Sequence, residues 1–191
     1  MRVFTDTSVL AEIADILLRG GVALLPTDTI YGLHAVATNE SAVARIAELK
    51  GRGDDKPFVV IAASAAQLRD FGAEVPDDLE TLWPAPLTAV LRRGAGTVAA
   101  RVPDLAWLRM LLVQTGPLVS TSANRAGEPP ILEVGELANE IADGLDAVLD
   151  SGRREGKPST IVDFTGSQPR LIREGDADFA QNLRKTLRIS L

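Results

Sequence analysis

The chain has 191 residues, 46% of them hydrophobic, with no cysteine, one histidine and a formal net charge of −6. That length supports one domain with a substantial core, and the absence of cysteine excludes disulfides, thiolate metal sites and a cysteine nucleophile, leaving His34 alone as the usual general base or zinc ligand. The acidic balance argues against nucleic-acid binding through a whole basic face, because affinity for phosphate backbones comes from Lys and Arg releasing counterions, but it permits a local basic pocket.

No apolar stretch reaches the ~20 residues of a membrane-spanning helix, and the N-terminal MRVFTDTSVLAEIADILL lacks the basic, apolar and cleavage regions of a secretory signal. A soluble, cytoplasmic chain forming a single domain over 1–191 is the expectation.

Val9, Leu10, Ile13, Ile16 and Leu17 stand at helical spacing and predict a helix over 8–19, ended by Gly20-Gly21. A strand follows over Val22–Leu25, and Thr27 to Gly32 reads as a polar loop at its end. Glu40–Lys50 predicts a second helix capped by Asn39, and the apolar run 57–62 a buried strand. Short helices are predicted over Ser64–Phe71 and Pro76–Leu82, strands over Leu87–Leu91 and Thr97–Val102, a buried helix over Leu105–Val113 and a strand over Pro117–Ser120. The rest predicts a helix at 133–143, strands at Ala147–Leu149, Thr160–Phe164 and Arg170–Arg173, and a helix over Asp178–Leu187. Helices and strands alternate only in part, which favours an α/β domain with a mixed sheet over a purely parallel one.

Two nucleotide motifs fail on inspection. Gly94-Ala95-Gly96-Thr97-Val98-Ala99 has the spacing of a dinucleotide fingerprint but runs into a strand instead of opening a helix. Gly152 to Ser159 has three residues between its glycines where a P-loop needs four, and Pro158 follows the lysine. Asn39-Glu40-Ser41 matches a glycosylation sequon with no meaning in a cytoplasmic chain.

Four stretches carry more hydroxyls, amides and cations than packing requires: Pro26 to Leu33, Lys50-Gly51-Arg52 with Lys56, Ser120 to Asn124 with Gly127, and Ser159-Thr160-Ile161 with Arg173. Each lies near the end of a predicted element, where a sheet presents loops into one cleft. Hydroxyls and backbone N–H groups suit phosphate and carboxylate oxygens, and Lys and Arg supply charge. The residue types alone leave an anion or nucleotide pocket and a set of ordinary turns both open. The cations near 50, 92, 153 and 170 are, by default, solvated surface clusters.

The ordered motifs PTDTIYGL, KGR with KP, LWPAPLT, ARVP, STSAN, STIVDF and LIREG resemble the YrdC-like threonylcarbamoyl-AMP synthase family in its short, single-domain form, over about residues 10–175. The resemblance implies a twisted mixed sheet flanked by helices, with a large concave groove. It implies an L-threonylcarbamoyladenylate synthase, a nucleotidyltransferase using ATP, L-threonine and bicarbonate, with Mg²⁺ held through the ATP phosphates. The product would pass to a tRNA threonylcarbamoyl transferase for the modification of tRNA position 37.

By matched position, Lys50 and Arg52 would be catalytic, and Thr29, Arg52, Arg101 and Ser159 would contact threonine. Lys50, Lys56, Thr97, Ser120, Ser122, Asn124 and Arg173 would contact ATP; no side chain is assigned to a metal. Tyr31 would be a groove-wall aromatic, Trp83 to Leu87 would shape the groove, and the segment 51–56 would be a mobile element. Asp28 is divided between capping its loop and facing the groove, and His34 is read as structural or loop-facing. Ile61 replaces a histidine of longer relatives, Ala85 replaces a glycine, and Glu128-Pro129-Pro130 replaces a loop that often offers a hydroxyl. The alternatives are a non-catalytic or adenylate-hydrolysing paralogue, the carbamoyl-adenylate module of hydrogenase maturation, and a double-stranded RNA-binding module, with direct tRNA or RNA contact open in each case and no membrane partner.

Overall fold

A computed structural model describes residues 1–51, 58–125, 127–154 and 156–189. In chain order the strands are β1 (Arg2–Phe4), β2 (Ala23–Pro26), β3 (Tyr31–Val36), β4 (Val59–Ile61), β5 (Leu87–Arg93), β6 (Gly96–Arg101), β7 (Leu118–Ser122), β8 (Ala147–Leu149), β9 (Thr160–Asp163) and β10 (Arg170–Arg173). The helices are α1 (Leu10–Leu18), α2 (Glu40–Leu49), α3 (Ala65–Asp70), α4 (Asp77–Glu80), α5 (Ala106–Thr115), α6 (Asn139–Ala142) and α7 (Ala177–Leu187).

Among the described residues the ten strands join one sheet in the order β1-β8-β2-β3-β7-β4-β6-β5-β9-β10. Parallel pairs (β1 with β8, β8 with β2, β4 with β6, β5 with β9) mingle with antiparallel ones, so the mixed α/β sheet expected from the partial alternation is the fold.

Strand alternation sorts the side chains onto two faces. On one face, Leu24, Leu33, Val119 and Val148 pack against Ala42 and Ile46 of α2 and Ile141 of α6. Further along that face, Val60, Ala89, Ala100 and Val162 pack against Leu68 of α3, Leu79 of α4 and Leu183 of α7. On the other face, Ala23, Leu25, Ile61 and Leu118 are covered by Ile13 and Leu17 of α1 and by Leu108, Leu111 and Leu112 of α5. That cover stops short of the remaining strands, and the uncovered strip is the floor of a groove.

Three predicted elements differ. β3 lies inside the polar loop and beyond it: five of its six residues are buried, so it shows no alternation, and a glycine and a histidine interrupt the apolar pattern. β1, three residues on the sheet edge, was too short to register as a period. The helix expected at 133–143 is a short 3-10 turn at Val134–Glu136 and then α6, separated by extended backbone at Leu137 and Ala138. The fingerprint-like Gly94-Ala95 is the two-residue turn of the β5–β6 hairpin, where Arg93 pairs with Gly96 and Gly94 has φ +55°. Left-handed backbone of this kind is what glycine supplies in hairpin turns.

The Asn39 carboxamide accepts a hydrogen bond from the Ala42 N–H at 3.0 Å and starts α2 as expected. Asn39→Ala should lower the unfolding free energy by about 1 kcal/mol, read as a shift in the urea midpoint at unchanged slope.

Candidate active site

The groove is a cavity of about 650 Å³. Its floor is a row of side chains in register across seven strands: Gly32 of β3 faces Ser122 of β7, Ser120 faces Val59 of β4, Val59 faces Ala99 of β6, Ile61 faces Arg101, and Val90 of β5 faces Ala99. Thr88 pairs with Ile161 of β9, which pairs with Arg173 of β10. Most of these side chains are small or hydroxylated, so the strip offers volume and polar atoms where the flanking sheet offers core.

The rim is built from loops. Thr27 to Ile30 joins β2 to β3 in a hairpin closed by Pro26 against Tyr31. The Thr27 N–H and hydroxyl both donate to the Ile30 carbonyl, at 3.1 and 2.7 Å, and the Thr27 Oγ1 in turn accepts from the backbone N–H groups of Thr29 and Ile30. This turn presents Asp28 and Thr29 to Arg101, whose guanidinium donates to the Thr29 hydroxyl at 3.1 Å and to the Asp28 carboxylate at 2.8 Å. Both members of the pair are buried, with side chains 6% and 8% exposed. The second Asp28 oxygen accepts from the Asp104 N–H at 3.1 Å. Asp28 thus both braces its loop and holds the arginine. Burial draws the Arg101 guanidinium below its ordinary range, the nearby Arg173 charge adds to that, and Asp28 opposes it.

Across the floor, the Arg173 guanidinium donates to the Ser159 carbonyl at 2.8 Å, and the Ser159 and Thr88 hydroxyls share a hydrogen bond of 2.8 Å. Gly156 lies against the Thr29 carbonyl so closely that a Cβ there would overlap it, which brings the loop before β9 onto the rim. On the far side the Lys50 ammonium, at the end of α2, donates to the carbonyls of Ser122 (2.5 Å) and Asn124 (2.6 Å). The Asn124 amide donates to the Arg125 and Glu128 carbonyls, and its Oδ1 is buried with no hydrogen-bond partner among the described residues.

Thr29, Arg101, Ser120, Ser122, Asn124, Ser159 and Arg173 therefore converge on one cavity. Lys50 braces the Ser122–Asn124 segment from behind and borders a separate cleft with Arg125 and Glu140. Thr97, on the same face of β6, is exposed and lies beyond the lining. Arg52, Lys56 and most of the proposed mobile segment fall outside the described residues.

Tyr31 borders the cavity, but its ring is fully buried in the core against α2 and α6, and its hydroxyl donates to the Gly152 carbonyl at 2.7 Å. It anchors a loop instead of forming a wall. Trp83, Ala85 and Leu87 sit in the core on the face away from the groove and turn Thr88 toward it. Thr88, which closes the LWPAPLT motif, and Thr121 are lining hydroxyl residues to which the sequence assigns no role.

A sequence-family model described as Telomere recombination (Sua5/YciO/YrdC) matches residues 15–175. The chain belongs to the Sua5/YciO/YrdC family. It is 35% identical over 179 residues to a threonylcarbamoyl-AMP synthase of Pyrococcus abyssi, covering 85% of this chain and 52% of that protein. It is 35% identical over 172 residues to a threonylcarbamoyl-AMP synthase of Marinobacter nauticus, covering 80% and 90% respectively. The crystal structure of P. abyssi Sua5 complexed with L-threonine superposes with a TM-score of 0.88 at 29% identity, covering 100% of this chain and 63% of that one. This chain thus spans about half the length of the archaeal relative.

Within this Sua5/YciO/YrdC chain the departures noted in the sequence have definite places. Ile61 is on the groove floor and Glu128 and Pro130 are on its rim, whereas Ala85 is packed in the core. His34, on the groove side of β3, is fully buried, with its Nε2 3.1 Å from the Ser120 hydroxyl. Burial pushes its pKa from 6.5 down to about 3, and the Arg101 charge contributes in the same direction.

That depression has a signed consequence for stability. Above pH 6.5 the ring is neutral in folded and unfolded chains alike; below it the unfolded chain takes up a proton that the folded chain refuses. Stability should therefore fall by about 1.4 kcal/mol per pH unit as pH drops from 6.5 toward 3. Urea unfolding at pH 7 and pH 5 measures this, and His34→Gln should remove most of the difference in that window.

Proposed function

We propose that the chain is an L-threonylcarbamoyladenylate synthase, a nucleotidyltransferase that forms threonylcarbamoyl-AMP and pyrophosphate from ATP, L-threonine and bicarbonate. Its product would go to a tRNA threonylcarbamoyl transferase in the cytoplasm for the N6-threonylcarbamoyladenosine modification of tRNA position 37. The observation that carries the reading is the pairing of two guanidiniums, Arg101 and Arg173, with the hydroxyls and amide of Ser120, Ser122 and Asn124 around one cavity. The relatives' names support threonylcarbamoyl-AMP as the product, and the P. abyssi Sua5 structure complexed with L-threonine supports threonine as a substrate.

In this reading the threonine amine combines with bicarbonate or carbon dioxide to give a carbamate. A carbamate oxygen then attacks the α-phosphorus of ATP in line, forming the P–O bond as the bond to pyrophosphate breaks. No protein nucleophile is required. Catalysis rests on placement and on compensating charge at the phosphates. Arg101, oriented by Asp28, takes the threonine carboxylate together with Thr29 and Ser159. Ser120, Ser122, Asn124 and Arg173 receive the nucleotide, a role that matched position also gives to Lys56 and Thr97. Lys50 and Arg52 complete the catalytic set, Lys50 by keeping a positive charge behind the Ser122 and Asn124 carbonyls.

Mg²⁺ enters as part of the Mg·ATP substrate. In this reading the ATP phosphates would hold it; among the described residues no group of three or more His, Cys, Asp or Glu side chains is placed to hold a metal. Among them, too, no helix is long and apolar enough to cross a membrane.

Incubation with Mg·ATP, threonine and ¹³C-bicarbonate should yield labelled threonylcarbamoyl-adenylate by mass spectrometry, and its absence with folded protein overturns the proposal. Salt-sensitive RNA binding without turnover would point instead to the RNA-binding alternative. Arg101→Ala and Lys50→Ala should each reduce threonine-dependent pyrophosphate release by about 10²–10³-fold, with circular dichroism unchanged. Threonine should exceed serine in kcat/KM by ~10–200-fold, the range one apolar contact for its methyl group allows.

A further inference from the structure

His34 is the single histidine of the chain, and the reaction proposed above gives it no task. It lies two residues beyond Gly32 on β3, on the face that forms the groove floor, directly opposite Ser120 of β7. The ring is wholly buried, and Ser120 stands between it and the cavity that Ser120 lines. A Cβ at Gly32 would come 2.9 Å from the imidazole Cε1 and 3.4 Å from Nε2, so the missing side chain at position 32 is what lets this edge of the ring back the floor. The Nε2 to Ser120 Oγ distance is 3.1 Å, and Nδ1 has no hydrogen-bond partner among the described residues. The bond to Ser120 meets the ring on its groove side, while the backbone of Gly32 and of Ala23 also acts on the imidazole and helps to hold it in place.

A serine hydroxyl beside a ligand has several rotamers and a freely turning hydrogen. Bonded to a buried ring that cannot swing away, it keeps one rotamer and one hydrogen direction, and the polar capacity left over faces the cavity. This holds for either neutral tautomer: the hydroxyl offers its hydrogen to the ligand if Nε2–H donates to it, and its remaining lone pair if it donates to Nε2.

We infer that His34 is a positioning residue that fixes the Ser120 hydroxyl against the nucleotide. The inference rests on the reading of the Ser120 side of the cavity as a nucleotide site. A hydroxyl fixed in advance spends less of its binding strength on ordering, so losing the constraint weakens nucleotide binding and leaves the amino-acid side untouched.

A double-mutant cycle tests this. His34→Ala and Ser120→Ala should each raise KM for ATP about three- to tenfold, the scale of one hydrogen bond, with KM for threonine within about twofold of wild type. The double variant should be no worse than Ser120→Ala alone. His34→Gln, whose amide can offer a donor or an acceptor near the Nε2 position, should recover most of the loss. Multiplicative effects in the double variant, a rise in threonine KM instead, or an unchanged ATP KM in His34→Ala would overturn the inference.

A second readout needs no His34 variant: the ¹⁵N signals of the single imidazole should shift on adding Mg·ATP to the wild type and stay in place in Ser120→Ala, and a wild-type ring insensitive to nucleotide would overturn it. Should the wild type bind Mg·ATP without turnover, the same cycle run by calorimetry separates the two claims: coupling there upholds His34 while the synthase reading fails. A wild type that binds no Mg·ATP overturns both.

Discussion

A guanidinium withdrawn from water has to be met by acceptors, and at Arg101 that requirement links segments far apart in the chain. Asp28 and Thr29 reach it from the β2–β3 turn, and Asp28 is itself held by the Asp104 N–H just past β6. Removing one member of such a buried pair leaves the other uncompensated, typically at a cost of ~3–5 kcal/mol. The turn, the end of β6 and the groove floor are therefore not independent parts. The same contacts that permit the charge to be buried also aim it into the cavity.

A parallel logic operates at the opposite wall. The end of β7 turns its carbonyls toward α2, and the Lys50 ammonium meets those of Ser122 and Asn124. Elsewhere the chain's cations are occupied on the surface: Arg92 donates to the Thr165 carbonyl, Arg93 stacks over Phe71, Arg153 faces Glu133 and Glu136, and Lys157 faces Asp176. In a chain of net charge −6, the described cations that line the groove are Arg101 and Arg173.

How much of this was legible in the sequence depends on what each residue reports locally. The apolar runs behind β2, β4 and β8 and the spacing behind α1, α2 and α5 announce themselves. β3 does not, because a central strand buried on both faces has no polar alternation, and Gly32 and His34 are there for the groove, not for strand propensity. Matched position implies Tyr31 in the groove wall, yet alternation sends its ring to the face opposite Gly32. The convergence of Thr29, Arg101, Ser120, Ser159 and Arg173 is a product of sheet order, which joins β3, β7, β4, β6, β5, β9 and β10 out of sequence. Composition signals the chemistry of such residues but not their neighbours. The Arg101–Asp28 pair, the Thr88–Ser159 bond and the imidazole behind Ser120 all depend on register.

The edge strand β1 carries a kinetic implication. Arg2, Val3 and Phe4 pair with Ala147, Val148 and Leu149 and, among the described residues, with no other strand, so β1 waits for a partner more than 140 residues away in sequence. β5 likewise waits for β9, and β2 for β8. Pairings of such wide separation require loop closure before they return any contact energy, which slows folding relative to domains of local contacts. The helices and the β2–β3 and β5–β6 hairpins, which need only near neighbours, are the parts able to form first, and the groove they border becomes whole only when the distant strands close the sheet.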